Sequence, residues 1–171
     1  MGLAFVSAPA HACRVHRAVQ PADVQYADVV VVGRIANYHL ALDPKLQEKL
    51  REKLGNSPDM APDVRKLLEK QLLTTDHARF DILIDRILAG QPPSTLTVTW
   101  SNSTFGEPAT MPAGPFVIAL YDPAARPDRI SGALSGLKDG SLTVLQAPCS
   151  GAFIFPVESE EAAAVRAILQ R

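Results

Sequence analysis

The 171-residue chain has two cysteines, Cys13 and Cys149, one tryptophan, 6% aromatic residues and no excess of either charge. Two cysteines cannot knit a disulfide-dense miniature fold, and no Cys-x-x-Cys pair offers the spacing of a zinc site. Seventeen Lys and Arg against 18 Asp and Glu leave a formal net charge of −1, so the basic footprint of a nucleic-acid binder is missing. No apolar run reaches the roughly 18 to 20 residues that cross a bilayer as a helix, which excludes an integral helical membrane protein. A phosphate-cradling glycine loop and a dinucleotide fingerprint are also lacking, as are internal repeats and low-complexity tracts.

What is present is enough hydrophobic material for one core. The 47% apolar content and this length let a single domain bury roughly 70% of the surface its unfolded chain would expose. Ten glycines and 14 prolines suit short strands parted by ordered loops better than a helical bundle.

The first twelve residues, MGLAFVSAPAHA, combine a short apolar stretch at Leu3 to Val6 with Ala10-His11-Ala12 before Cys13, the small-x-small pattern of a signal-peptidase site. The basic n-region is missing and the apolar stretch is short. The expectation is a truncated signal peptide over 1–12, a true translation start upstream, and a mature single domain over 13–171 that is secreted or periplasmic. The alternative is that Leu3 to Val6 forms the first strand of a cytosolic protein. An even pair of cysteines in an exported protein reads as one disulfide, and in the chain-entropy model so long a loop is worth on the order of 5 kcal/mol. Two buried free thiols, or a reactive thiol at Cys149, are the other readings.

Along the chain, Asp28 to Ile35 (DVVVVGRI) is a β-branched run that reads as a core strand, with Gly33 marking a bulge or bend. Asp43-Pro44 opens a helix with Leu46, Leu50 and Leu54 on one stripe, ending at Gly55, and a second helix starts near Ala61-Pro62-Asp63 with Val64, Leu67, Leu68 and Leu72 on one face. Together they predict a helical hairpin over 43–73. From Ala78 the period is two, with Phe80, Ile82 and Ile84 opposite Asp81, Leu83 and Asp85. Gly90-Gln91-Pro92-Pro93 then turns into the alternating Thr95 to Trp100. Gly114 to Tyr121 is a continuous apolar run, hence a strand covered on both faces, and Leu142 to Leu145 is a further short strand. Ser159-Glu160-Glu161 caps a final helix with Val165, Ile168 and Leu169 on its apolar face.

Five strands, the first bent, with a helical hairpin between strands 1 and 2 and a C-terminal helix, predict a mainly β protein built on a five-stranded barrel of the OB type. An open antiparallel α+β sandwich is the runner-up.

The order of these features resembles the tissue-inhibitor-of-metalloproteinases-like and netrin-like modules. The matching stretches are Cys13 after a cleavage site, Ala27 to Ile35, Phe80 to Ile84, Gly114 to Leu120, and Leu145-Gln146-Ala147-Pro148-Cys149. The resemblance spans about residues 13–155. It implies an OB barrel in an exported protein, with the N-terminal segment tied to the barrel by a Cys13 to Cys149 bridge. In the animal inhibitors the mature N-terminal cysteine chelates the protease zinc, and only Cys13 matches that position. The family's next cysteine is replaced by Val15, and the short residue that enters the protease pocket is replaced by Arg14. Both departures count against inhibition by that route.

Candidate chemistry is sparse. His11, Cys13 and His16 give three zinc donors within six residues but no fourth, and cleavage would remove His11, so no metal site is expected. Cys149 could act as a nucleophile with His39 or His77 as base and Asp28, Asp76 or Asp81 as orienter; a half-cystine explains it with fewer assumptions. Asp81 and Asp85, four apart on a strand, lie roughly 13 Å apart, too far to act on one bond, and read as a solvated face beside Arg79 and Arg86. Trp100, Asn102 and Phe105 compose a possible ligand groove, or else Trp100 plugs the barrel end. The hairpin either docks on a partner or buries its stripe on its own barrel.

These features point to an exported, non-catalytic binding module without cofactor. Its partner would be a protease or an envelope protein, met at an edge formed by Cys13, Arg14, Val15 and His16 and the neighbouring loops. The competing readings are a thiol- or metal-dependent hydrolase and a cytosolic interaction module with buried thiols. Intact mass of the protein from its native host, alkylated under denaturing conditions, tests the first reading. The expected species begins at Cys13 and takes up two alkyl groups only after reduction. A chain that retains Met1 and is alkylated without reduction refutes export and the bridge.

Overall fold

The computed structural model describes residues 19–42, 44–72, 77–100, 107–124, 140–146 and 150–171. The expected signal peptide over 1–12 lies outside them. The chain begins with a short 3-10 helix (Pro21–Tyr26) and continues as β1 (Val29–Ala41), α1 (Pro44–Gly55), α2 (Pro62–Gln71), β2 (His77–Ala89), β3 (Thr95–Trp100), β4 (Phe116–Tyr121), β5 (Leu142–Val144), β6 (Ile154–Pro156) and α3 (Glu160–Leu169).

Five strands close a barrel in the order β1-β2-β3-β5-β4, with β4 returning to β1. All contacts are antiparallel except β3 with β5, which is parallel and short, pairing Val98 with Leu142 and Thr99 with Thr143. At that seam the buried Thr143 hydroxyl donates to the Thr99 carbonyl at 3.0 Å. β5 and β6 lie end to end on one edge of β4, and Ala119 spans the join: its N–H donates to the Phe153 carbonyl and its carbonyl accepts from Leu145 N–H. They are two halves of one strand, and where the chain leaves the first and enters the second it is held by Phe153 N–H on the Leu145 carbonyl and by the Gln146–Ala152 bridge.

β1 runs six residues past the expected end at Ile35. The sequence beyond it, Ala36 to Ala41, has no β-branched residue to announce a strand. Asn37 takes a left-handed conformation (φ 54°) at a bulge, where two residues of β1, Asn37 and Tyr38, oppose one of β2, Phe80, between Ala36↔Asp81 and His39↔Arg79. The bulge turns Tyr38 and Leu40 inward, where both pack against the inner core with Ile35.

There are two cores. The inner one fills the barrel with alternate residues of each strand, among them Val31, Ile35, Phe80, Ile82, Val98 and Ile118. The outer one lies between the other face of β1 and β4 and the helices, where Val30, Val32, Val117 and Ala119 meet Val24, Ala162 and Val165. All six residues of β4 are therefore buried, as the unbroken apolar run Gly114 to Tyr121 implies. The Ser159 hydroxyl accepts from Ala162 N–H and caps α3, and Arg166 ties the helix to the Val157 carbonyl. α1 and α2 pack on each other and project from the β1–β2 connection with only marginal contact to any strand.

Gly33 pairs with Ile84 on one edge and Phe116 on the other. A Cβ there would sit 2.7 Å from the Ile82 side chain and 2.8 Å from the Leu83 carbonyl oxygen, a backbone atom that cannot move alone. Gly33→Ala is expected to cost about 1–3 kcal/mol of stability, whereas Gly55→Ala, with open space around it, should change little. Chemical denaturation of the two variants checks this contrast, and equal midpoints would refute it.

Candidate binding face

α3 and the 3-10 helix cover the outer face of β4 and the first half of β1. Among the described residues no helix covers the outer face of the middle of β2, of β3 or of the second half of β1, whereas the end of β2 at Leu88 and Ala89 packs against the outer core. Register places the side chains of this face in three rows, Arg34–Leu83–Thr95, Ala36–Asp81–Thr97 and His39–Arg79–Thr99, of which Thr99 is buried. Asp81 is the centre of this grid. One carboxylate oxygen accepts from Thr97 Oγ1 at 2.6 Å and the other from Asn37 Nδ2 at 2.7 Å. The Thr97 hydroxyl first and the Asn37 amide second hold the Asp81 carboxyl below the usual aspartate range, with smaller help from Arg79 and His39 against a small opposing effect of burial.

The neighbours of Asp81 are ordered as well. His39 Nδ1 lies 2.8 Å from the Asn37 carbonyl and donates to it. Arg34 Nη2 donates to Asp85 at 2.8 Å, an exposed pair worth well under about 1 kcal/mol. Leu83, 42% exposed, gives the face an apolar element between these charges. Beneath it, Tyr38 donates to the Pro108 carbonyl at 2.7 Å and fastens the segment before β4 to β1. Burial, with the nearby Glu107 carboxylate, pushes that phenol up to about 12, so it stays a donor at any physiological pH.

The residues singled out from sequence fall as follows. Trp100 is 6% exposed within the inner core, and its indole N–H donates to Gln146 Oε1 at 2.9 Å. Gln146 in turn donates to the Ser150 carbonyl at 2.7 Å, so the tryptophan is fastened to residues on both sides of the β5–β6 connection. Its suggested companions Asn102 and Phe105 lie outside the described residues, as do Cys13, Arg14, Val15, His16, Asp76 and Cys149.

Of the remaining polar candidates, His39 and Asp81 are brought together on the open face, while His77 is buried at the start of β2. Asp28 accepts from Asp122 N–H and pins the end of β4 to the start of β1. Asp81 and Asp85 are separately partnered, and it is Arg34 that closes on Asp85. Among the described residues no three His, Cys, Asp or Glu side chains gather as a metal site, and no helix is long and apolar enough to cross a membrane. Sequence reading missed Asn37, Thr97 and Arg34, because each reaches its aspartate only through strand pairing.

A carboxylate engaged at both oxygens is a fixed anion that orders its donors. The arrangement is a mixed, nearly neutral surface with Arg and His donors and one leucine. Comparison with family models, with curated proteins and with solved structures finds no match to this chain.

The hydrogen bonds make Asp81 a pH-linked element. Because its folded-state value is depressed, it contributes stability above the unfolded value of about 4, and that contribution is lost as pH falls through the lower folded value. Carbon-detected NMR titration should place the Asp81 carboxyl below the ordinary range and return it upward in Thr97→Val. Asp81→Asn should be less stable than wild type at pH 7 by an amount that shrinks at pH 2. An ordinary value for Asp81 in the wild type refutes the reading.

Proposed function

We propose that the chain is a non-catalytic binding module, exported to the periplasm or beyond, that meets a protein partner on the outer face of β1, β2 and β3. One observation carries the reading. The barrel interior is filled with apolar side chains, while this face, unlike the outer face of β4, has no helix over it among the described residues and carries an ordered polar network centred on Asp81.

The OB identity of the barrel is part of the proposal. Its support is the strand order 1-2-3-5-4 closing on β1 and the single parallel contact between β3 and β5. Barrels of that plan receive ligands across the face of strands 2 and 3, where Leu83, Asp81 and Thr97 stand here. The resemblance to tissue-inhibitor-of-metalloproteinases-like and netrin-like modules supports a protease or an envelope protein as the partner, with Cys13, Arg14, Val15 and His16 as a second contact edge. A mixed face with one apolar side chain and several oriented donors fits a protein surface better than a small apolar ligand.

Position-specific photocrosslinking in the native host tests the reading. A benzophenone side chain at Leu83 should give an adduct of one discrete mass, and the same group at Ala167, exposed on α3, should not. Arg79→Glu should remove the Leu83 adduct without lowering the amount of folded protein. An adduct that survives Arg79→Glu, or one formed equally from Ala167, refutes this face as the contact.

A further inference from the structure

The hairpin leaves an apolar stripe in water. Val64 is 42% exposed and Leu67 58%, three residues apart on α2, and so on one side of the helix. The adjoining side is occupied: Leu68 is 8% exposed, and the Arg65 guanidinium donates to the Ser57 carbonyl in the interhelix turn at 3.0 Å. Helices of 12 and 10 residues lie at and below the lower end of the length, about 12–15 residues, under which isolated helices are marginal in water. These two draw little support from the barrel.

We infer that this stripe is the contact between two copies of the chain, with the two α2 helices packed antiparallel across a two-fold axis. The charge pattern selects that occupant and that orientation. Asp63 and Lys70 are both exposed and seven residues apart, so they lie on the same flank of the Val64–Leu67 stripe, one near each end. In an antiparallel pair equal flanks face each other with ends reversed. Val64 then layers against the partner's Leu67, while Asp63 meets the partner's Lys70 and Lys70 meets the partner's Asp63. A parallel pair would turn this flank toward the partner's opposite flank, and Asp63 and Lys70 would find no such complement. Lys70 already interacts within its own chain, and its ammonium has three donors with which to take a second partner. α2 is about 15 Å long, so the contact falls short of the standard interface of about 1,600 Å² and gives a weak, micromolar dimer. This inference stands apart from the proposed binding face, which lies on the barrel.

Sedimentation equilibrium on the mature chain, from about 5 to 500 µM, is the test. Wild type should move from the monomer mass toward twice that mass across this range, and Leu67→Lys should remain monomeric. Asp63→Lys alone and Lys70→Asp alone should each weaken self-association at least tenfold. An equimolar mixture of these two variants should associate again, because each then supplies the charge the other needs, and the Asp63→Lys/Lys70→Asp double variant should recover the homodimer. Circular dichroism on each variant establishes that the hairpin is still helical, and the mixing arm is unaffected by any shared loss of helix stability. A wild type that stays monomeric throughout overturns the inference, as do single variants that associate like wild type or a mixture that does not recover. Monomeric protein that binds anionic vesicles through Leu67 would assign the stripe to a membrane surface and overturn it equally.

Discussion

β1 is hydrogen-bonded on both edges, to β2 along its whole length and to β4 as far as Gly33, and a strand used in this way must curl without letting go of either neighbour. Gly33 is the point at which both neighbours close in. With no Cβ it allows the Leu83 backbone within a distance that any other residue would block. Closing the ring then requires only the short parallel seam between β3 and β5. There the ladder has two residue pairs, and the Thr143 hydroxyl adds a bond to the Thr99 carbonyl inside a buried site, where an unmade bond would be costly. The barrel is thus fixed at one bend and one seam, and its loops and helices hang from those.

Closure sets up the division of the outer surface. β4 lies opposite β3 in the ring and is apolar on both sides, so its outward residues Val117 and Ala119 need a cover, which α3 and the 3-10 helix supply together with Val30 and Val32 of β1. The outward residues in the middle of β2 are Arg79, Asp81, Leu83 and Asp85, which need no cover, and only its end at Leu88 and Ala89 joins the outer core. The open face is therefore a consequence of which strand carries a two-sided apolar run, and that property is written in the sequence of β4 and β2 themselves.

Local signals were accordingly legible in the chain. The alternation from Phe80 to Asp85 and from Thr95 to Trp100, the leucine stripes of the hairpin, the Ser159 cap and the two-sided β4 all act within a few residues. The split of the last barrel strand into β5 and β6 was not legible. Phe153 to Pro156 joins β4 only after a loop excursion, and three residues carry no period. The extension of β1 past Ile35 was hidden because Asn-Tyr-His-Leu-Ala sets one strand former, Tyr38, among residues that do not favour strands, and the pairing with β2 imposes the conformation from outside. The same holds for the face: Asn37 and Asp81 are 44 residues apart in sequence, Arg34 and Asp85 are 51 apart, and nothing local to either partner announces the other.

The bulge at Asn37 joins these two levels. Ile35 and Tyr38 both point into the barrel although they are three residues apart, a parity that an unbroken strand forbids. One extra residue must be absorbed, and asparagine absorbs it because it tolerates the left-handed conformation better than most side chains. Once the bulge is there, the amide of Asn37 reaches Asp81 and its carbonyl meets His39. Neither contact is buried, and exposed polar contacts of this kind contribute little to stability. Their order comes from the interior: the packing of Tyr38 and Leu40 dictates the bulge, and the bulge dictates where Asn37, Asp81 and His39 stand. A face held in this way is organised by the interior alone, so the proposed association would not carry the entropic cost of ordering it.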